Sequence, residues 1–249
     1  MNTRSIDLNC DLGEGIGDEA SIVPHITSAN VACGFHAGNP AVMQKTVQLC
    51  LSFGVRVGAH PGFPDQQGFG RRMLHISRDE AYAITLYQIG ALAAFVRAEG
   101  GVLQHVKPHG AFYHLAAADR HIADAVAEAT SRIDSALVLF GPPNSELLAA
   151  ASRYGLQAAS EVFADRSYRA DGSLAPRTDS DAELADVEAA SRQALRLAQE
   201  GVVVATDGTE LRLQADTLCL HGDMPGAARR AAVVREQLET AGITVKAFR

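Results

Sequence analysis

A lysine lies between two histidines in residues 102–113, which read VLQHVKPHGAFY. Successive side chains of a β-strand point to opposite faces, so His105, Lys107 and His109 are expected on one face. A lysine is rarely buried without a partner. We therefore expect carboxylates from other strands, or an anionic substrate, opposite Lys107. The alternative is a lysine that reaches solvent at the end of its strand.

Other ionisable residues recur near the ends of predicted strands. Residues 5–11, SIDLNCD, alternate apolar with polar side chains, which predicts a strand whose polar face carries two acids and an amide. An exposed edge strand would show the same alternation, but the first strand of an α/β chain is normally central. The ionisable residues at predicted strand ends are Asp11, His36, His60, Lys107, His109, Glu161, Asp165 and His221. A core could bury so many only if they paired around a cavity.

The elements that would position these residues alternate between strand and helix. Further strands are predicted at 28–36, 55–60, 136–140, 158–163 and 217–221, a hairpin at 202–213 around Asp207-Gly208, and a terminal strand at 243–248. Helices are predicted at 39–53, 79–99, 116–130, 145–154, 181–200 and 227–241. Residues 61–72 and 164–178 are predicted loops. The pattern indicates one (βα) barrel or closed sheet, a single domain over residues 1–249, with reactive residues where strands end.

Composition narrows the class of partner. The 249 residues are 47% hydrophobic and 20% charged, with a net charge of -7, so nucleic acid is not an expected partner. The N-terminus has no apolar signal region and no run approaches the roughly 20 apolar residues of a membrane span, so we expect a cytoplasmic protein without membrane contact. Cys10, Cys33, Cys50 and Cys219 form no C-x-x-C pair, which predicts buried, reduced thiols.

Six segments resemble the LamB/YcsF family. They are DLNCDLGEG at 7–15, SANVACGFHAGNP at 28–40, GAHPGFPD with GFGRR within 58–72, VKPHGAFY at 106–113, EVFADRSY at 161–168 and CLHGDMPGA at 219–227. Phe63 stands where tyrosine is common and Met224 where asparagine is common. The resemblance implies a distorted, seven-stranded barrel related to the NodB-type deacetylases. It also implies ATP-dependent opening of the 5-oxoproline lactam to glutamate, in a 5-oxoprolinase that includes B and C subunits.

Hydrolysis of an unstrained five-membered lactam needs a polarised carbonyl or prior phosphoryl transfer. In the hypothesis built on this chemistry, Lys107 with His36 or His60 stabilises an oxyanion or phosphate. Asp11 or Glu161 takes a proton from water, and His109 or His221 protonates the departing nitrogen. The predicted substrate-binding residues are Asp7, Asn9, His36, His60, Arg71, Asp165 and Arg166.

The sequence leaves open which cofactors the protein uses and which of several competing functions it has. It contains no G-x-x-x-x-G-K-[ST] motif, so nucleotide chemistry is expected to involve the partner subunits. A divalent metal on Asp11, His36 and His60 is a second expectation, whereas His105 and His109 are expected to lie too far apart to share an ion. The competing functions are a stand-alone metal-dependent deacetylase and a non-catalytic protein of the complex that delivers substrate. A homo-oligomer is also left open.

Overall fold

The computed structural model describes residues 4–248, within which parallel strands close into a barrel. The strands are β1 Ser5–Leu12, β2 Ser28–Ala32, β3 Arg56–His60, β4 Leu103–Val106, β5 Val138–Gly141, β6 Gln157–Phe163, β7 Val202–Val204, β8 Glu210–Arg212, β9 Thr217–His221 and β10 Thr244–Val245. The helices are α1 Glu19–Ile22, α2 Pro40–Ser52, α3 Arg78–Ala98, α4 Gly110–Ala118, α5 Arg120–Ile133, α6 Glu146–Arg153, α7 Val187–Glu200 and α8 Ala227–Thr240.

The barrel closes between the first strand and a late one. Its order is β1-β2-β3-β4-β5-β6-β9, and β9 pairs back onto β1 with Asp7 opposite Thr217 and Asp11 opposite His221. Each of these pairings is parallel, so the carboxyl ends of all seven strands meet at one mouth. The predicted seven-stranded barrel is confirmed. The pair β7 and β8 forms a separate antiparallel hairpin, as predicted from Asp207-Gly208.

The inside of the barrel is polar, unlike the branched apolar layers of common (βα) barrels. The Asp7 carboxylate accepts hydrogen bonds from the hydroxyls of Thr217 at 2.5 Å, Thr27 at 2.7 Å and Ser28 at 2.7 Å. Burial raises the pKa of Asp7, and these hydroxyls act against that shift. Paired hydroxyls, amides and carboxylates therefore replace apolar packing below the mouth.

His105 fits into this interior because β3 carries Gly58 beside it. A Cβ at Gly58 would lie 2.1 Å from Nε2 of the His105 ring, and the pairing of β3 with β4 shifts register at Val57 and Gly58. His105 Nε2 lies 2.7 Å from Asn30 Oδ1, which ties the ring to the polar interior. The shifted register is part of the predicted distortion of the barrel.

Two boundaries near the mouth differ from those predicted. β2 ends at Ala32 and not at residue 36, because the chain turns through Gly34 and Gly38, both with positive φ. The predicted helix at 116–130 is two helices, since Asp119 accepts backbone N–H bonds from His121 and Ile122 and so caps α5.

Two other predicted elements are also shorter in the structure. α7 begins at Val187, after the Asp186 cap, and not at residue 181. The predicted strand at 243–248 is reduced to Thr244–Val245, and the short helix α1 was not predicted.

One helix in the described part of the chain, α3, is long and apolar enough to cross a membrane by length and composition alone. Its buried side includes Ile89 and Leu92, which belong to the hydrophobic core. A core helix passes the same test, so this property is weak evidence of a membrane span.

Candidate active site

A cavity of about 500 Å³ lies at the mouth of the barrel. Four of the five residues predicted to be catalytic line it, namely Asp11, Lys107, His109 and His221. Three of the predicted substrate-binding residues also line it, namely His60, Arg71 and Arg166. The mouth therefore brings together residues from strands that are far apart in the chain.

Lys107 is buried and its ammonium group is held by three partners. Nζ lies 2.9 Å from Asp11 Oδ1, 2.9 Å from Glu161 Oε1 and 3.0 Å from Cys219 Sγ. Burial by itself would lower the pKa of Lys107, but Asp11, Cys219 and Glu161 raise it well above the usual value. The predicted anionic partners of Lys107 are confirmed. All three N–H donors are in use, so a ligand can bind Nζ only by replacing one of them, and the thiol is the weakest acceptor.

Asp11 connects Lys107 to the histidines of the mouth. Its Oδ1 also accepts a hydrogen bond from Asn30 Nδ2 at 2.8 Å, and its Oδ2 lies 3.4 Å from His60 Nε2. Burial acts to raise the pKa of Asp11, but His60 and Lys107 lower it well below the usual value. Asp11 is therefore a fixed negative charge and a weak base.

Glu161 lies beneath Lys107 and does not line the cavity, which corrects its predicted contact with a reacting water. Its Oε2 is buried without a hydrogen-bond partner among the described residues, and so is the hydroxyl of Tyr113, a residue that lines the cavity. Burial, followed by the charge of Glu161, raises the pKa of Tyr113 well above its usual value. Tyr113 is thus a neutral phenol beside Glu161 that the sequence did not single out.

His221 is oriented by Asp165. The ring Nδ1 lies 2.8 Å from Asp165 Oδ1, and the backbone N–H of His221 donates to Oδ2 at 2.8 Å. Burial acts to raise the pKa of Asp165, but the contacts with His221 lower it, so the carboxylate stays charged. A charged carboxylate only accepts hydrogen bonds, so Nδ1 carries the proton and Nε2 keeps a lone pair in the neutral ring. His221 can then exchange protons with a ligand through Nε2.

Three histidines and a glutamate surround one point beside Asp11. The ligand atoms of Glu14, His36, His60 and His109 all lie within 4.8 Å of one another. The rings of His36 and His109 stack at 3.8 Å, and a Cβ at Gly62 would lie 2.4 Å from His36 Nδ1, so the loop backbone holds this ring closely.

The predicted metal set of Asp11, His36 and His60 is divided between two groups, and its role stays a prediction. The structure groups His36 and His60 with Glu14 and His109, whereas Asp11 lies in a second group with Cys219 and His221. His105 belongs to neither group among the described residues.

Arginines carry positive charge to the outer part of the cavity. Arg71 pairs with Asp223 at 2.6 Å, and Arg177 pairs with Glu183. Arg166 donates through Nη2 to Ala175 O at 2.6 Å, which joins two parts of the segment 164–178. Burial, then the charge of Arg177, lowers the pKa of Arg166 to about 10. An anionic ligand group is the natural partner for this end of the cavity.

Several predicted substrate-binding residues lie behind the cavity wall. They are Asp7, Asn9, His36 and Asp165. Asn9 donates from Nδ2 to Thr217 at 2.7 Å and to Glu161 at 3.1 Å, so it supports the interior network and does not face a ligand. Asp7 lies deeper still, and its predicted substrate contact is corrected in the same way.

Glu14 and Arg177 also line the cavity, although the sequence did not single them out as site residues. Glu14 stands between two glycines directly after a predicted strand, a position from which a functional acid could have been inferred. The four cysteines are buried as predicted, and burial raises the pKa of Cys33 and Cys50 to about 12.

Known proteins resemble this chain over its whole length. Residues 6–249 match the LamB/YcsF family. The A subunit of a 5-oxoprolinase from Geobacillus thermodenitrificans is 53% identical over 250 residues, covering 99% of this chain and 98% of that protein. The crystal structure of a lactam utilization protein from Thermus thermophilus has a TM-score of 0.92 and 47% identity, covering 98% of this chain and 100% of that one.

A more distant likeness extends to the deacetylases. The crystal structure of a polysaccharide deacetylase from Bacillus cereus has a TM-score of 0.52 at 12% identity, covering 99% of this chain and 92% of that one. At this identity the likeness shows a shared fold alone. The predicted relation of the barrel to the deacetylase fold is confirmed.

Proposed function

Because the chain belongs to the LamB/YcsF family, we propose that it is the A subunit of a multi-subunit 5-oxoprolinase and that its barrel mouth opens the lactam of 5-oxo-L-proline. Relatives named as the A subunit of 5-oxoprolinase match it over nearly their full length. The product is L-glutamate, and the reaction consumes ATP. The observation that carries the proposal is Lys107, held between Asp11 and Glu161 at a cavity that also contains the oriented His221.

The lactam offers a carbonyl oxygen that becomes negative and a ring nitrogen that must gain a proton. The fixed charge of Lys107 lowers the energy of a negative oxygen nearby. His221, with Nδ1 held by Asp165, takes a proton at Nε2 from the attacking water and delivers it to the leaving nitrogen. This assignment selects His221 over His109, whose Nε2 lies 2.8 Å from Phe69 O.

The α-carboxylate of 5-oxoproline fits the outer, arginine-containing end of the cavity. Arg166 uses Nε and Nη2 on backbone carbonyls, which leaves Nη1 for a ligand. Arg71 and Arg177 are held in place by Asp223 and Glu183. The substrate would then lie with its carboxylate toward these arginines and its amide toward Lys107.

The ATP requirement is assigned to the complex. The sequence has no P-loop motif, and the groups that converge at the described mouth suit a small amide. We place phosphoryl transfer on the B and C subunits, or on an interface that they complete. Cytoplasmic localisation follows from this role and stays a prediction.

The direct test measures glutamate release by the purified chain alone and by the chain reconstituted with B and C subunits and ATP. We expect release only from the complex. Lys107→Met should abolish release by the complex, because Asp11 and Glu161 then lack their counter-ion, while Lys45→Met at an exposed position is the matched control. Since an unpaired buried carboxylate costs about 3–5 kcal/mol, circular dichroism must show that the variant is folded.

The other outcomes separate the competing functions. Release of acetate from acetylated sugars by the isolated chain, without ATP, would identify a stand-alone deacetylase. Folded Lys107→Met with full activity in the complex would identify a protein whose mouth takes no part in the chemistry.

A further inference from the structure

The hydrogen bonds of two histidines determine where their protons lie. His60 Nδ1 is 2.7 Å from the backbone oxygen of Lys107, and His109 Nε2 is 2.8 Å from the backbone oxygen of Phe69. A carbonyl oxygen only accepts hydrogen bonds, so each of these ring nitrogens carries a hydrogen. The remaining nitrogens, His60 Nε2 and His109 Nδ1, therefore hold lone pairs in neutral rings.

These two lone pairs face each other at 2.9 Å. Neither atom has a hydrogen to donate in the neutral rings, so the contact is repulsive unless a metal ion lies beside both atoms or His60 gains a second proton on Nε2, which is 3.4 Å from Asp11 Oδ2.

Two more buried polar atoms without hydrogen-bond partners lie close to the contact between His60 and His109. Glu14 Oε1 and His36 Nε2 are buried without hydrogen-bond partners among the described residues and lie 3.5 Å apart, with side chains 5% and 0% exposed. Glu14 Oε1 is also 3.5 Å from His109 Nδ1 and 4.0 Å from His60 Nε2. Buried polar atoms without partners are uncommon in folded proteins, and a bound water or ion is one explanation for them.

We propose that Glu14, His36, His60 and His109 bind one divalent first-row transition-metal ion. Ligand–metal bonds of about 2.1 Å in a tetrahedral site place neighbouring ligand atoms about 3.4 Å apart, and the four separations given above, 2.9 to 4.0 Å, bracket that value. The rings of His36 and His109 lie in nearly parallel planes, so one of them must tilt for both lone pairs to reach the same ion. A site with three imidazole ligands favours Zn²⁺ and other divalent first-row transition-metal ions over Mg²⁺ or Ca²⁺.

The backbone oxygens of Lys107 and Phe69 act as orienting partners for two of the ligands. Glu14, His60 and His109 also line the cavity, so the ion would border the space assigned to the substrate. A bound metal ion supplies a Lewis acid for a carbonyl oxygen. The site itself does not depend on the proposed function, since it follows from the side chains alone.

The test is a metal titration of the full-length protein after treatment with a chelator. We expect one Zn²⁺ per chain by calorimetry, and one Co²⁺ per chain with the visible absorption of a tetrahedral site. His36→Gln and the isosteric Glu14→Gln should each weaken binding by more than about 100-fold, because loss of an outer-shell partner alone costs about 10- to 100-fold. His121→Gln, at an exposed position, is the matched control and should bind like wild type.

Two results would overturn the proposal. One is the absence of stoichiometric binding of Mn²⁺, Co²⁺, Ni²⁺ or Zn²⁺ to the folded wild-type chain, with a protonated His60–His109 pair in nitrogen NMR. The other is unchanged affinity in both the Glu14→Gln and His36→Gln variants, which would place any bound ion elsewhere. Circular dichroism of both variants without metal distinguishes lost binding from lost folding.

Discussion

At the scale of single residues, the hydrogen-bond partner of each side chain decides its chemistry. His60, His109 and His221 are all at the mouth, yet backbone oxygens hold the first two while the Asp165 carboxylate holds the third. As a result the lone pairs of His60 and His109 face each other, whereas that of His221 is available to a ligand. The same residue type therefore supplies a proposed metal ligand in one place and a proton carrier in another.

Asp165→Asn tests the orientation of His221. An asparagine amide can donate to Nδ1 and so favour the tautomer with its hydrogen on Nε2, which removes the lone pair that we assign to proton exchange. We expect kcat of the reconstituted complex to fall by about 100- to 10,000-fold, in line with loss of an orienting carboxylate, with a small change in KM. Steady-state glutamate release measures both.

The control for that variant is Asp79→Asn at an exposed position, which should leave both constants unchanged. A kcat for Asp165→Asn within a few-fold of wild type would show that the tautomer of His221 is unimportant for the rate.

At the scale of elements, the polar interior depends on strands that leave room for ring side chains. β3 contributes Gly58 so that His105 of β4 can reach Asn30 of β2. This contact links three neighbouring strands inside the barrel and connects them to Asp11 through Asn30. A small residue in the middle of a strand is thus a requirement of the site above it.

Gly58→Ala should destabilise the protein, because the new Cβ would lie 2.1 Å from the His105 ring. Overpacking of this kind costs about 1–3 kcal/mol in the free energy of unfolding. The matched control is Gly90→Ala in α3, where a Cβ meets no atom within 4 Å, and where alanine should stabilise the helix by about 0.5–1 kcal/mol. Urea unfolding followed by circular dichroism measures both, and equal stabilities for the two variants would contradict the close packing at Gly58.

At the scale of the whole molecule, buried neutral histidines link folding to pH. His105 is fully buried, and burial followed by the charge of Lys107 lowers its pKa to about 3. Its pKa in the unfolded chain is about 6.5, so the unfolded state binds the proton more tightly. The contribution of His105 to stability is complete above pH 6.5 and is lost as the pH falls toward 3.

We therefore expect the free energy of unfolding to decrease on acidification, with His105 contributing up to about 1.4 kcal/mol per pH unit below pH 6. His105→Gln removes the titrating group and should give a shallower decrease, even if the variant is less stable at pH 7. Unfolding curves at several pH values between 7 and 4 give the two slopes. Parallel slopes would show that the pKa of His105 does not differ between the folded and unfolded chain.

Much of the fold could be predicted from the sequence, because it is encoded locally. The alternation of apolar and polar residues in β1, the apolar stripes of the helices and the Asp207-Gly208 turn each depend on neighbours a few residues away. The segments shared with the family add the closed barrel and the residues near strand ends. Local signals failed where a side chain ended an element, as Asp119 does between α4 and α5.

The sequence by itself determined which residues share the inner face of each strand, and only the tertiary structure decided how deep each one lies. Asp7 and Asp11 belong to the same alternating stripe, but the register of β1 with β9 places Asp7 beside Thr217 in the interior and Asp11 beside His221 at the mouth. Register, and the loops that bring Glu14 and His36 to His109, depend on contacts between distant segments. Period-two alternation is the same at every depth of a strand, so it carries no information about the register of the strands or about the contacts of these loops.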